Sequence, residues 1–131
     1  MTQSEKKGRP DSRPFKGHQS AHFRFETDAD GRVATGLEAY RAYGRESGPV
    51  FRRLGGRQVW IGRPELVLIG PAQERWDIAF IAEYPSGAAF IEMLRDPVYR
   101  EAVKHRQAGV EESRLIRMAP LAAGAGFGEE A

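Results

Sequence analysis

Apolar and polar positions divide the chain into stretches with two different periods. Ala21, Phe23 and Phe25 alternate with His22, Arg24 and Glu26, a period of two that predicts a strand, and Thr27 to Gly31 supply turn residues after it. Over 36–54 the period changes. Leu37, Tyr40, Tyr43, Val50, Phe51 and Leu54 recur at three- and four-residue spacing, which predicts an amphipathic helix. Thr35 with Glu38 three residues on has the form of a capping box, and Gly55-Gly56 marks the helix end. Gly48-Pro49 predicts a kink or a restart inside it. Residues 57–61 and 65–69 are strand-like and are separated by Gly62, Arg63 and Pro64, so they read as one bent strand or a strand with a bulge. Residues 76–84 give the strongest strand signal, which Pro85 stops. Ser86 caps a predicted helix over 87–95, and Asp96-Pro97 restarts the chain as a second helical piece to about 108. Leu115, Ile116 and Met118 belong to a last strand ended by Pro120. The predicted order is β-α-β-β-α-β with the second helix in two pieces. It gives an α+β, ferredoxin-like fold, an antiparallel sheet with its helices on one face.

The same pattern raises a problem of burial. A sheet open to water on one face should alternate apolar with polar. Strand 76–84 is instead apolar on both parities, with Ile78, Phe80 and Ala82 on one and Ala79 and Ile81 on the other; Leu66 to Ile69 behave alike. The simplest cover for the second face is a second copy of the same sheet, so the pattern predicts a homodimer. Asp77 and Glu83 flank the apolar positions of that face and are expected to pair with arginines.

Composition narrows the chemistry. The 131 residues are 40% hydrophobic and 29% charged, which suits one globular domain. There is no cysteine, which excludes disulfides, a thiol nucleophile and thiolate metal sites. Residues 1–16 hold five basic and two acidic side chains, +3 of a net charge of +2, so the remainder carries −1. Nucleic-acid binding is therefore not expected. No apolar run is long enough for a membrane helix, and the chain reads as cytoplasmic. The expected organisation is a flexible basic leader over 1–17, a folded domain over 18–120 and a flexible tail over 121–131.

Three short motifs stand in order: Gly55-Gly56-Arg57 after the first helix, Glu83-Tyr84-Pro85-Ser86 at the end of the central strand, and Asp96-Pro97-Val98-Tyr99-Arg100 at a helix start. Over roughly residues 20–118 the chain resembles the DUF1330 family of the dimeric α/β-barrel superfamily. That family's usual forms are Gly-Gly-Arg, Glu-Phe-Pro-Ser and Ser-Pro-x-Tyr; here Tyr84 replaces the Phe and Asp96 the Ser. The resemblance implies a ferredoxin-like protomer and a dimer whose two sheets form a barrel. It implies no reaction. The wider superfamily includes cofactor-free monooxygenases, small isomerases, EthD-like and NIPSNAP-like proteins, haem-binding branches and amino-acid-sensing domains. Its quinone-forming monooxygenases place an asparagine at the substrate, and this chain has none.

Two function classes follow. One is a small cofactor-independent monooxygenase- or isomerase-like enzyme acting on an aromatic or carbonyl-bearing small molecule; the other is a non-catalytic homodimer binding a small molecule or a protein. His105 and Glu83 are the acid/base candidates, because histidine titrates near neutrality and an apolar barrel would raise a carboxyl pKa. Tyr40, Tyr43, Trp60 and His22 are candidate pocket residues, with Trp76 a further aromatic and Arg57 the expected anion holder. Aromatics at helical spacing are also ordinary core. No metal and no cofactor is expected. His22, His105 and Glu83 would have to converge from separate elements to form a metal site, and haem would rest on His105 alone. Asp28 to Gly31 lacks the acidic twelfth position of a calcium loop, and Gly124 to Gly128 lacks the flanking strand and helix of a dinucleotide site.

Overall fold

The computed structural model describes residues 17–124 and 126–128. The expected leader lies outside these residues except for Gly17, as do residues 125 and 129–131 of the expected tail. Seven elements follow in chain order: β1 (Gly17–Phe25), α1 (Ala34–Arg53), β2 (Arg57–Gly62), β3 (Ile78–Tyr84), α2 (Gly87–Arg95), α3 (Pro97–Gly109) and β4 (Val110–Met118). The four strands form one antiparallel sheet in the order β2-β3-β1-β4. This is the ferredoxin-like α+β arrangement the periodicity predicts. Among the described residues no helix is long and apolar enough to cross a membrane.

Alternation assigns the two faces. Ala21, Phe23 and Phe25 of β1 form one buried cluster, with Ile78, Phe80, Leu37 and Tyr40 packed against it. Ala82 and Tyr84 of β3 form a second with Val50, Met93 and Tyr99. Phe80 packs on both, so a single layer of core joins the helices to one side of the sheet. Strand β1 starts at Gly17, four residues before its apolar alternation begins, because it is a central strand paired with β3 on one side and β4 on the other.

Helix α1 departs from its sequence signals at two places. It begins at Ala34 behind Val33, so Thr35 lies inside the first turn and is not the cap; no side chain caps this end. Val33 packs on the β1 cluster, and its carbonyl accepts the Leu37 N–H at 2.8 Å, so burial sets the start. Pro49 lies within the helix rather than dividing it. An interior proline costs about 3 kcal/mol. Val50, Phe51 and Leu54, which follow it directly, are anchored in the core and offset that cost. The end is as expected: Gly55 takes φ +87°, its N–H donates to Arg52 O, and Gly56 N–H donates to Phe51 O.

The caps of the other two helices follow the sequence. Ser86 Oγ accepts the Ala89 N–H at 3.1 Å. Asp96 Oδ1 accepts the N–H groups of Val98 and Tyr99 at 2.8 and 3.2 Å, with Pro97 in the first turn, and Asp96 Oδ2 takes Arg53 Nη2 at 2.7 Å. Replacing Asp96 by alanine is expected to lower the unfolding free energy by about 1–2 kcal/mol. Asp96→Asn, which keeps the cap and gives up the charge, should lose under about 1 kcal/mol. Urea denaturation of the two variants separates these contributions.

The segment after β2 is the main correction. Residues 65–69 form no strand, and the bulge falls earlier, at Val59 within β2. Pro64 has no N–H to continue the ladder. Leu66, Leu68 and Ile69 are left 70%, 88% and 97% exposed. Asp77 ends this segment by accepting the Phe25 N–H on its side chain at 2.8 Å, while its own N–H donates to Phe23 O. It also pairs with Arg75, as its expected partner type required.

Candidate functional site

A cavity of about 510 Å³ lies between the three helices and the helix-facing side of the sheet. Its volume comes from small residues where larger ones would close the core: Gly44, Ser47 and Gly48 on α1 and Ala82 on β3. Phe23, Phe51, Phe80, Phe90, Met93 and Leu115 are the large apolar side chains of its wall, with Leu94. The polar groups come from regular positions. Tyr43 and Ser47 are one turn apart on α1, Tyr99 and Arg106 are two turns apart on α3, and Tyr84 follows Ala82 on the same face of β3.

The phenols form a connected group. Tyr43 Oη and Tyr99 Oη share a hydrogen bond of 3.2 Å, and their rings meet edge-on. The Tyr84 ring stands edge-on to both Phe51 and Phe90. Burial raises the pKa of Tyr40, Tyr84 and Tyr99 above the ordinary phenol value; neighbouring Tyr43 adds to the rise and the Arg106 charge opposes it. These hydroxyls therefore stay protonated at neutral pH and act as neutral hydrogen-bond donors. The Arg106 guanidinium lies 5.4 Å from the centre of the Tyr43 ring, a cation–π distance. Arg52 and Arg57 also border the cavity, but the Arg57 guanidinium is drawn to the opposite face of the sheet by Glu83, whose carboxylate accepts its Nε–H at 2.8 Å. No histidine or carboxylate is among the described lining residues.

The residues marked by the sequence divide between this cavity and other surfaces. Tyr43 and Arg57 line it. Tyr40 sits beside it in the core, its ring 5.4 and 5.1 Å from those of Phe23 and Phe25. Trp60, His22 and Glu83 belong to the opposite face of the sheet, because their strand positions alternate with those facing the helices. There Trp60 is 57% exposed, His22 rests on Trp76, and Glu83 joins Arg57 to His18, whose Nε2 is 3.4 Å away. His105 points off the buried stripe of α3 and pairs with Glu46 of α1 at 3.0 Å in an exposed position. The fold thus does not bring His105 and Glu83 together, and the sheet separates His22 and Glu83 from His105. Among the described residues no three His, Asp or Glu side chains cluster as metal ligands would.

The sequence reading did not single out Tyr84, Tyr99, Ser47 or Arg106 as site residues. Three of them left a trace: Tyr84 stands in the Glu-Tyr-Pro-Ser motif in place of the family's Phe. Tyr99 stands in the Asp-Pro-Val-Tyr motif, and Arg106 is a charged residue on the otherwise apolar stripe of Tyr99, Ala102 and Val103.

Comparison with known proteins agrees with this architecture. The family described as domain of unknown function DUF1330 matches residues 33–119. The RPA0582 protein of Rhodopseudomonas palustris, of unknown function, is similar at 62% identity over 86% of this chain and 85% of that one, with a TM-score of 0.77. A dimeric ferredoxin-like protein of unknown function from Bacteroides fragilis is similar at 15% identity over 79% and 95% of the two chains, TM-score 0.55. SnoaB, a cofactor-independent oxygenase from Streptomyces nogalater, is similar at 15% identity over 88% and 99%, TM-score 0.52. At that identity the last two likenesses concern the fold alone. No curated protein matches the chain.

Proposed function

The chain belongs to the DUF1330 family, and from that premise we propose that it is a homodimeric protein whose cavity takes a flat, aromatic or carbonyl-bearing small molecule, in the manner of a cofactor-independent monooxygenase or isomerase. The observation that carries this reading is the cavity itself. Its volume of about 510 Å³ is in the range of small-molecule sites, and its wall is apolar with a few converging polar groups. The phenyl edges suit an aromatic ring, and the Tyr43–Tyr99 pair and Arg106 offer donors to a carbonyl oxygen that gains negative charge. SnoaB joins the same fold to cofactor-independent oxygenation. One observation favours the second reading, binding without turnover: the described lining holds no imidazole or carboxylate to move a proton.

The homodimer is supported by the other face of the sheet. Trp60, Ile81, Ser20 and Ile116 make a row straight across the four strands, and Trp60 and Ile116 are more than half exposed in the single protomer. Leu66, Leu68 and Ile69 add apolar surface at the β2 side. Exposed apolar area of this kind is characteristic of an interface.

Occlusion tests the cavity. Leu115 is partly exposed on the helix-facing side of β4, so Leu115→Trp can grow into the space without opening the core. Binding of aromatic carbonyl compounds, followed by native mass spectrometry, is expected to fall at least tenfold in this variant with the fold intact. Unchanged binding would place the ligand elsewhere. Oxygen uptake or product formation by the wild type decides between turnover and binding alone.

A further inference from the structure

We infer that the cavity selects an organic anion: a flat ring system carrying a carboxylate, with the carboxylate seated on Arg106 beside the Tyr43–Tyr99 hydroxyl pair. This rests on the reading of the cavity as a ligand site and adds the charge and orientation of what it holds.

The charge census of the lining is one-sided. Arg52, Arg57 and Arg106 are among the lining residues, the Arg57 guanidinium turned to the opposite face by Glu83, and no described lining residue is acidic. The three are not equivalent. Arg57 already has its counter-charge in Glu83. Arg52 lies along α1, its Nη1 3.0 Å from where a side chain on Gly48 would begin. Arg106 is half-buried on the inward stripe of α3, and its contact is the face of the Tyr43 ring. No described carboxylate comes within ion-pair distance of it. A guanidinium partly withdrawn from water without an anion carries an uncompensated desolvation cost, which a ligand carboxylate would offset.

The neighbouring groups match the same ligand. A carboxylate only accepts hydrogen bonds, and the guanidinium only donates. In the Tyr43–Tyr99 pair one hydroxyl proton is used between the two oxygens, which leaves the other free to donate outward. The raised phenol pKa of Tyr99 keeps it a donor in the presence of an anion. The planar fork of an arginine holds the two oxygens of a carboxylate in parallel, a fit that a single alcohol or amide oxygen does not complete. The rest of the space is for a ring. An apolar cavity of about 150 Å³ already accepts benzene, so about 510 Å³ leaves room for more than one ring against Phe51, Phe80 and Phe90.

The test uses three probes of one shape on the full chain: 2-naphthoate, its neutral analogue 2-naphthamide and the cation of 2-naphthylmethylamine, each titrated calorimetrically. Naphthoate is expected to bind at least tenfold tighter than the amide, and the ammonium weakest. Arg106→Gln should remove the preference for naphthoate, bringing its affinity to within about twofold of the amide's, and Arg106→Lys should retain part of it. Equal affinity for the three probes in the wild type overturns the inference and leaves the cavity reading standing. A preference for naphthoate that survives in Arg106→Gln overturns the assignment to Arg106. Failure of all three to bind overturns the cavity reading itself, and this inference with it. The wild-type series alone is decisive should Arg106→Gln not fold.

Discussion

Alanine at Gly36 is expected to destabilise the protein by about 3 kcal/mol and to lower its thermal midpoint by roughly 10–20 °C. The reason is a backbone junction. A Cβ on Gly36 would lie 2.6 Å from Glu26 O, 2.8 Å from Glu26 N and 2.8 Å from Gly109 O. None of these atoms can swing aside as a side-chain tip would, because the Glu26 N–H is itself bonded to Gly109 O at 2.9 Å. The end of β1, the first turn of α1 and the exit from α3 meet here through main chain. Gly109 is as tightly held from the other side, since its missing Cβ would fall 2.5 Å from Gly36 O and 2.7 Å from Ala39 Cβ. Gly44, on the same helix as Gly36, is the control. A Cβ there meets nothing within 4 Å, so Gly44→Ala should stabilise by up to about 1 kcal/mol through helix propensity. Differential scanning calorimetry of the pair reads opposite signs from the same chemical change. Equal midpoints would mean that the junction relaxes at no cost.

Aspartate at Ile81 should take the proposed dimer apart without unfolding the protomer. Ile81 stands at the centre of the open face, between Trp60 on β2 and Ser20 on β1, with Ile116 beyond. A carboxylate placed there would lose its hydration in a face-to-face pair of sheets, at a cost of several kcal/mol. A loss of about 3 kcal/mol raises the dissociation constant by more than 100-fold. Sedimentation equilibrium at micromolar concentration is expected to give twice the chain mass for the wild type and the chain mass for Ile81→Asp, with unchanged far-ultraviolet dichroism. A wild type that sediments as a monomer would remove the dimer and leave the Trp60–Ile116 row without a cover.

Much of the fold is legible because it is written in local signals. The period of two in Ala21, Phe23 and Phe25, the period of 3.6 from Leu37 to Leu54, and the caps at Ser86 and Asp96 each act within a few residues, and the structure reproduces them. The readings that differ are those where a distant part of the chain decides. Thr35 has the right chemistry for a cap, yet burial of Val33 starts the helix earlier. Pro49 predicts a kink or a restart of α1, and no restart occurs: the helix continues to Arg53, with Val50, Phe51 and Leu54 packed in the core. Leu66 to Ile69 have strand composition but find no partner strand within the protomer.

The site was less legible for the same reason. Sequence can mark a residue as chemically able, as it did His105 and Glu83, but the sheet places those two on opposite sides and gives each a partner at the surface. By itself the sequence determined the element order, the helix-facing parity of β1 and β3 and the absence of cysteine chemistry, all properties of near neighbours or of composition. Only the tertiary structure decided that Gly36 and Gly109 must be glycine. It alone brought Tyr43, Tyr84, Tyr99 and Arg106 around one cavity, because these depend on residues far apart in the chain approaching within a few ångströms.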